Sequence, residues 1–549
     1  MISISKAEYI QLKNDAHCWR MRFERLNAHR NRDVQRLKDE MVRRAERARQ
    51  ALSELQGELE RVRAQVKDFQ KRLFGQKSEK SNGMRGKLPG QRPSVERPRG
   101  HQRGQPGHGR TTPTALPVVV HVVDLPQVDK CCPQCGLALT PCPGSLDSEV
   151  VEIEVKAYRR LIRRKQYKPL CQCGVLPAIV TAPVPPNIIP KGKYGISIWS
   201  ELMLDKFLYG RPTHRLLQSW QALGLDVAPG TVAGGFAHLA PLFAPLMAAF
   251  REKQLTDSHW HADETGWKVF EHVEGRKTNR WYLWVYRSTS VIYFDLEPSR
   301  AATVPQAHFK GLSDGIVICD RYSAYQTMAR RLGLLLAFCW VHVRRDFVTL
   351  AQGYPQLESW SLVWIERIGT LYHLNATRMA VRADAAAFAQ ATVTIEQHLR
   401  SMAESRDAEL RDATLHVAAS KVMMSLRRHW AGLTVFVAYP EIPLDNNIAE
   451  NAVRGPVVGR KNYYGSGSIW SSQFAASMFT VLLTLDQVWA INARLWMTEF
   501  LQACAVGCGT PPDLSNFLPW TMTQERLAHF GGKLPAAPAD VQPTPADTS

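Results

Sequence analysis

Glu450 lies in the stretch Pro443-Leu-Asp-Asn-Asn-Ile-Ala-Glu-Asn-Ala-Val-Arg, where residue types and spacing could do chemistry. Asp445, Asn446 and Asn447 are good helix openers, because their short side chains accept the free N–H groups of a first turn. In such a helix Asn446 and Asn447 fall four and three residues before Glu450, and Arg454 four after it. Two amides, a carboxylate and a guanidinium then share one face. A capped surface helix with an ordinary Glu–Arg pair has the same pattern, so a catalytic role requires further carboxylates. Two stand far upstream. Asp263 sits in His259-Trp-His-Ala-Asp-Glu-Thr-Gly-Trp-Lys, and Asp320 ends the apolar run Gly315-Ile-Val-Ile-Cys-Asp. Glu264 follows Asp263 directly and in a strand faces the opposite way.

The elements around these acids set their geometry. The His259 segment reads as a strand, followed by strands at Trp281 to Tyr286 and Val291 to Phe294, an antiparallel meander by its turn spacing. A helical piece (Ala301 to Phe309), the Asp320 strand, a helix (Tyr322 to Leu332) and a fifth strand (Leu334 to Cys339) follow. Three strands, then helix, strand, helix, strand, is the order of a ribonuclease-H-like core. In that fold Asp263 and Asp320 are neighbours. Phe347 to Tyr439 is helical and charged, long enough to be a subdomain inserted before the Glu450 helix. Ile469 to Leu485 and Val488 to Ala505 read as two helices that close the core.

Upstream, the segments Ser197 to Leu208, Pro212 to Leu223 and Pro229 to Leu246 are helical, with Gly224 in the joint before the third. They fit a helix-turn-helix or a helical spacer supporting the next domain. Cys132-Pro-Gln-Cys135-Gly and Cys171-Gln-Cys173-Gly, separated by two strand-like runs between Val150 and Tyr167, supply four soft ligands for a structural zinc ion. Cys131 could replace Cys132. Arg159, Arg160, Arg163 and Arg164 make that module a candidate DNA-contacting surface. Apolar residues from Met41 to Leu73 alternate in steps of four and three, the seam of a coiled coil. Ser81 to Arg110, with seven Arg/Lys and one Glu among Gly and Pro, is a flexible basic tether.

At 549 residues the chain exceeds one core. Its 69 Lys+Arg against 50 Asp+Glu give a net charge of +19, which favours a polyanionic partner, most simply nucleic acid. The most apolar windows are broken by Pro241 and Pro245, or by Asp486, and do not read as membrane spans. With eleven cysteines and no export signal at Met1, the thiols are expected as metal ligands rather than disulfides. The expected location is cytoplasmic.

These motifs, in this order, resemble bacterial transposases of the insertion sequence sixty-six family, of the DDE type. The resemblance runs from Leu73-Phe-Gly-Gln-Lys-Ser-Glu-Lys through the Cys-Pro-Gln-Cys-Gly module and Asp263-Glu-Thr-Gly-Trp. It continues through Cys339-Trp-Val-His342-Val-Arg-Arg and Asp445-Asn-Asn-Ile-Ala-Glu450 to Gly459-Arg-Lys-Asn. It implies that Asp263, Asp320 and Glu450 are the catalytic carboxylates. It also implies a homo-oligomer acting on transposon-end and target DNA in the bacterial nucleoid, with small accessory proteins of the same element. Two departures stand out: Arg321 follows Asp320 where the family usually has glycine, and the second cysteine pair is one residue short. Three carboxylates forced together repel unless divalent cations neutralise them. The expected cofactors are therefore two Mg²⁺ or Mn²⁺ ions about 3.5–4 Å apart, besides the zinc. Asn446 and Asn447 are expected to orient Glu450, and Arg454, Arg460 and Lys461 to hold phosphates. Cys339 and His342 offer only half a metal site; a packed thiol and a satisfied histidine is the simpler reading.

The expected protein is thus a multidomain α/β chain. A coiled coil (1–80), a basic linker (81–120), a zinc-ribbon-like module (121–185) and a helical, helix-turn-helix-like region (186–255) precede the ribonuclease-H-like core. The core runs over 256–347 and is resumed by the Glu450 helix (441–470), after a helical insertion (348–440). A C-terminal helical region (471–534) and a disordered tail (535–549) end it. A DNA transposase is the leading function. A non-catalytic zinc and coiled-coil DNA-binding protein with a decayed core, or a structure-specific nuclease, are the alternatives.

Overall fold

The computed structural model describes residues 5–74, 179–274 and 278–533, with parts of 118–139 and 155–168 and residue 177. Helix α1 spans Lys6–Phe74, far longer than the heptad alone. Its side chains are described as far as residue 50, apart from a few, and there Trp19, Phe23, Leu26 and Met41 are exposed. Most of the heptad seam therefore lies beyond the described side chains. The basic linker lies almost wholly outside the described residues, as do Cys132, Cys171, Cys173 and the tail. Residues 155–165, expected to include a strand, are not one. Among the described residues, β1 (Gln166–Tyr167) and β2 (Val180–Thr181) pair antiparallel.

The body of the chain is built on a five-stranded mixed sheet: β3 (His259–Lys268), β4 (Arg280–Arg287), β5 (Ile292–Glu297), β6 (Ile316–Cys319) and β7 (Leu335–Phe338). The spatial order is β5-β4-β3-β6-β7. The first three pair antiparallel, while β3–β6 and β6–β7 are parallel. Each parallel crossover carries a helix, α6 (Thr303–His308) and α7 (Ser323–Leu332). Alternation along β4 sends Leu283 and Val285 to one face and Trp284 and Tyr286 to the other, and both faces are buried.

One face is covered by α2 (Ile196–Met203), α3 (Thr213–Gln221), α4 (Pro229–Leu239), α5 (Ala244–Gln254) and the later helices α14 (Asn447–Tyr463), α15 (Ile469–Leu483) and α16 (Ala493–Val506). The region 186–255 does not stand as a separate helix-turn-helix: Trp199, Phe207, Leu216 and Phe236 join the same core as Phe474 and Phe479. Of the two readings left open by the sequence, support for the next domain describes this packing. Pro241 and Pro245 do not break the run, because each falls at the start of a new helical segment, where a missing N–H costs nothing. Pro229–Gln254 is accordingly long and apolar enough to cross a membrane by length and composition. Its Leu239, Phe243, Leu246 and Phe250 are nevertheless buried in the core.

The other face meets α7 and the helices between β7 and α14: α8 (Trp340–Gly353), α9 (Glu358–Ala380), α10 (Ala385–Arg411), α11 (Val417–Arg428), α12 (Trp430–Leu433) and α13 (Val435–Ala438). Trp364, Ile368, Leu399 and Met423 of this insertion share one cluster with Trp260, Trp284 and Phe347. The insertion is therefore continuous with the core under the sheet.

Candidate active site

Strand register brings the two aspartates together. His261 pairs with Ile318 in the parallel β3–β6 ladder, so Asp263, two residues further along β3, is carried towards Asp320, the first residue past the end of β6. Asp263 shares its face of β3 with Trp267, and Asp320 its face of β6 with Ile316 and Ile318. Both carboxylates thus leave the sheet on the side covered by α14. Asp263 lies in the middle of β3 rather than late in it. Glu264, one residue on, emerges on the opposite side. There its carboxylate accepts from Tyr325 Oη at 2.5 Å and pairs with Arg300, whose guanidinium stacks 4.0 Å from the Tyr322 ring. It is not a member of the site.

Helix α14 is tied to β3 at both ends. Asn446, just before its first turn, is 1% exposed, so the surface-cap reading fails. Its Nδ2 donates to Ala262 O at 2.8 Å, its Oδ1 lies 2.9 Å from His261 Nδ1, and its backbone N donates to Cys339 Sγ at 3.3 Å. One amide therefore joins β3, the end of β7 and the start of α14. At the far end Arg460 donates to Gly266 O and to Thr265 Oγ1. Both bonds come from Nη1 and hold the arginine against the strand. Ser466 N donates to Lys268 O at 2.9 Å and Phe270 N to Ser466 O at 2.9 Å, completing the anchor. Ala449, Ala452 and Val453 are buried, while Asn447, Arg454 and Lys461 are exposed along the outer face. Asn447 N donates to Asp445 Oδ1 at 3.1 Å, so Asp445, not Asn446, accepts from the first turn.

Glu450 is one-third exposed and faces His342, with Oε1 3.6 Å from His342 Nε2. Electrostatically the acids form one group. Burial pushes the Asp263 carboxyl up to about 7, and the charges of Glu264, Asp320 and Glu450 push in the same direction. Burial also raises Asp445, with Glu450 adding to it. Among the described residues no three His, Cys, Asp or Glu side chains converge closely enough to enclose a metal ion. The donor set still suits a hard divalent cation: oxygen ligands on one sheet face, with Asp263 unable to ionise at low cost without a neutralising charge.

The Cys339–His342 segment departs from expectation. Cys339 is a packed thiol, 1% exposed, whose deprotonation burial pushes up to about 11, against the pull of the His342, Asn446 and Val341 amides. His342, however, is not satisfied: its Nδ1 is buried without a hydrogen-bond partner. The sequence contained the signal, a Cys-x-x-His at the end of β7, but not its proximity to Glu450. Arg321, in place of the usual glycine, donates to Asp346 Oδ2 at 2.6 Å, Ser425 Oγ at 3.1 Å and His342 O at 3.3 Å. It clips α8 and α11 to the end of β6. Of the zinc-module residues, Cys135, Arg159, Arg160, Arg163 and Arg164 are described and exposed, and Arg164 Nε donates to Ala182 O at 2.6 Å. The remaining cysteine ligands lie outside the described residues.

A mixed five-stranded sheet with paired aspartates at its parallel seam, a glutamate helix over the same face and a helical insertion before that helix is consistent with a DDE-transposase-like core. Comparison with known families makes the assignment particular: the model of the transposase IS66 family matches residues 191–473, and the chain belongs to that family. Its general function is therefore that of a transposase. Three proteins of Sinorhizobium fredii (strain NBRC 101917 / NGR234) are similar to it, each named only as an uncharacterized protein. They are y4jD, 24% identical over 417 residues (70% of this chain, 76% of that protein), y4hP, 23% over 413 residues (69% and 72%), and y4qI, 24% over 404 residues (70% and 72%). No solved structure matches.

Proposed function

We propose that the protein binds the terminal repeats of its own element as an oligomer, cleaves DNA strands at the ends and joins the 3′-ends to target DNA. The observation that carries this reading is the nearness of Asp263, two residues beyond the His261–Ile318 pair on β3, to Asp320 just past the end of β6, with the charges of Asp320 and Glu450 both acting on the Asp263 carboxyl. Asp263, Asp320 and Glu450 would be the residues to hold Mg²⁺ or Mn²⁺. When bound, such ions would supply activation of the attacking oxygen and charge stabilisation of the leaving one.

The chain's own residues have defined tasks. Asn446 fixes the distance between Glu450 and Asp263 by bonding the strand that carries the aspartate. Arg460 and Ser466 hold the other end of α14, so Glu450 approaches on a rigid element. Arg454 and Lys461, exposed on the outer face of the same helix, are positioned to take backbone phosphates of the strand being cut. Asn447 beside them would orient a phosphate or Glu450 itself. Arg159, Arg160, Arg163 and Arg164 would add sequence-independent phosphate contacts, next to zinc held by Cys132, Cys135, Cys171 and Cys173. Accessory proteins of the element and a cytoplasmic, nucleoid-associated location belong to the same proposal.

The test incubates full-length protein with labelled end DNA in Mg²⁺, in Mn²⁺ and in EDTA. Metal-dependent nicking at the transposon end supports the proposal. Tight end binding without strand cleavage in either metal favours the DNA-binding alternative, and cleavage directed by branched structure rather than by the end sequence favours the nuclease.

A further inference from the structure

Cleavage gives no task to the aromatic side chains at the end of α14 far from Glu450. Tyr464 closes the helix in the left-handed conformation, φ +68°, where glycine or asparagine is usual because a larger side chain is strained there. Its neighbour Tyr463 packs on Trp267, with 6.4 Å between ring centroids, whereas Tyr464 is 72% exposed and gains no such packing to offset the strain. Three more exposed aromatic residues border the same helix end. Asn462 Nδ2 donates to Gly210 O at 2.9 Å, which brings Tyr209 beside the last turn. Phe270 N donates to Ser466 O at 2.9 Å, two residues beyond Tyr464. Ile469 N donates to Glu271 Oε2 at 2.6 Å, tying the residue before Trp470 to the one after Phe270. Tyr209, Phe270 and Trp470 are all exposed.

Cations are set among these rings. Lys268 ends β3 against Gly465, and Lys461 and Arg454 stand about one and three turns back along α14; all three are exposed. The exposed residues of α14 follow one another as Asn447, Asn451, Arg454, Val458 and Lys461, in steps of four and three that make one continuous face. Glu450 borders this face, and Tyr464 lies about 21 Å from it along the helix axis. A stacked DNA strand covers that distance in about six nucleotides. Aromatic rings spaced among cations suit bases carried on a phosphate backbone, where a protein partner would favour a continuous apolar patch.

We propose that Tyr209, Phe270, Tyr464 and Trp470 form a stacking platform for unpaired DNA bases, reached by a strand that leaves the carboxylates along the exposed face of α14. Every base has a π face to stack, so the platform senses strand opening near the cut rather than sequence. The proposal rests on reading the protein as one that binds the ends of its element.

The test measures binding of full-length protein, without added divalent metal, to labelled end DNA in two forms: fully paired, and with about six mismatched bases beside the cleavage site. A 2-aminopurine in the mismatched stretch reports stacking by loss of its fluorescence. Wild type is expected to prefer the mismatched end and to quench the probe. Y464N and W470A are each expected to weaken binding to the mismatched end about five-fold or more, to restore the fluorescence and to leave binding of the paired end unchanged. Y464N is also expected to raise Tm, because asparagine suits a left-handed helix cap, so its loss of binding is not a loss of fold. Equal binding of the two DNA forms by wild type, or a preference that survives both substitutions, overturns the platform and leaves end binding standing. Loss of self-association in the variants by light scattering, with DNA binding unchanged, also overturns it and makes the patch a protein interface. Failure of wild type to bind either form of end DNA overturns both readings.

Discussion

Asp263 is the residue at which the site is most costly to fold. Its carboxyl is held near 7 in the folded protein against about 4 in an unfolded chain. Between those values the native state keeps a proton that the unfolded state has lost, so metal-free stability falls as pH rises from about 4 to 7. D263N removes the charge. In EDTA it is expected to raise Tm over wild type at pH 8, by a stabilisation on the order of a few kcal/mol, and to change it little at pH 4. Thermal melts at the two pH values check this, and an equal effect at both would refute it. Asn446 is the residue on which Glu450's placement depends. N446A strands Ala262 O and His261 Nδ1 inside the protein, an expected loss of about 2–4 kcal/mol in denaturant unfolding. Asp263, Asp320 and Glu450 could be singled out because one lies within a strand, one closes an apolar strand run and one sits on a helix opened by Asp and Asn residues. The partners of Asn446, Arg460 and His342 could not, because they lie 185, 194 and 108 residues away in sequence.

At the scale of elements, α14 works because the turn after it returns to β3. Gly465 has φ +141°, and an added Cβ would stand 2.3 Å from Lys268 O. G465A is therefore expected to cost about 2–4 kcal/mol and to slow cleavage by loosening the helix; R454A, on the exposed face, is expected to weaken DNA binding with stability unchanged. Unfolding curves beside end-binding titrations separate the two. The chain order of strands and helices was readable from turn spacing and apolar runs, and the nearness of Asp263 to Asp320 followed from the ribonuclease-H-like fold that this order matches. The destination of each helical face was not, since periodicity reports an apolar stripe and not what covers it. The helices of 196–254 were consequently open to a DNA-binding reading until their residues joined the core of α15 and α16.

At the scale of the molecule, the +19 charge and the long α1 both point outward. Trp19, Phe23, Leu26 and Met41 on α1 are exposed, apolar surface that a second chain would bury. Deleting residues 1–80 is expected to lower the assembly to a monomer in light scattering while the fold of the remainder persists; an unchanged oligomer would place self-association elsewhere. Assembly, however, matters only if the core cuts DNA. The direct test is the single-turnover rate of end cleavage in Mg²⁺ by D263N, D320N and E450Q, each first shown to bind end DNA like wild type. Each variant is expected to lose at least about 10³-fold, comparable to removing a principal electrostatic catalytic group. Cleavage at the wild-type rate by any one of the three would contradict the three-carboxylate site.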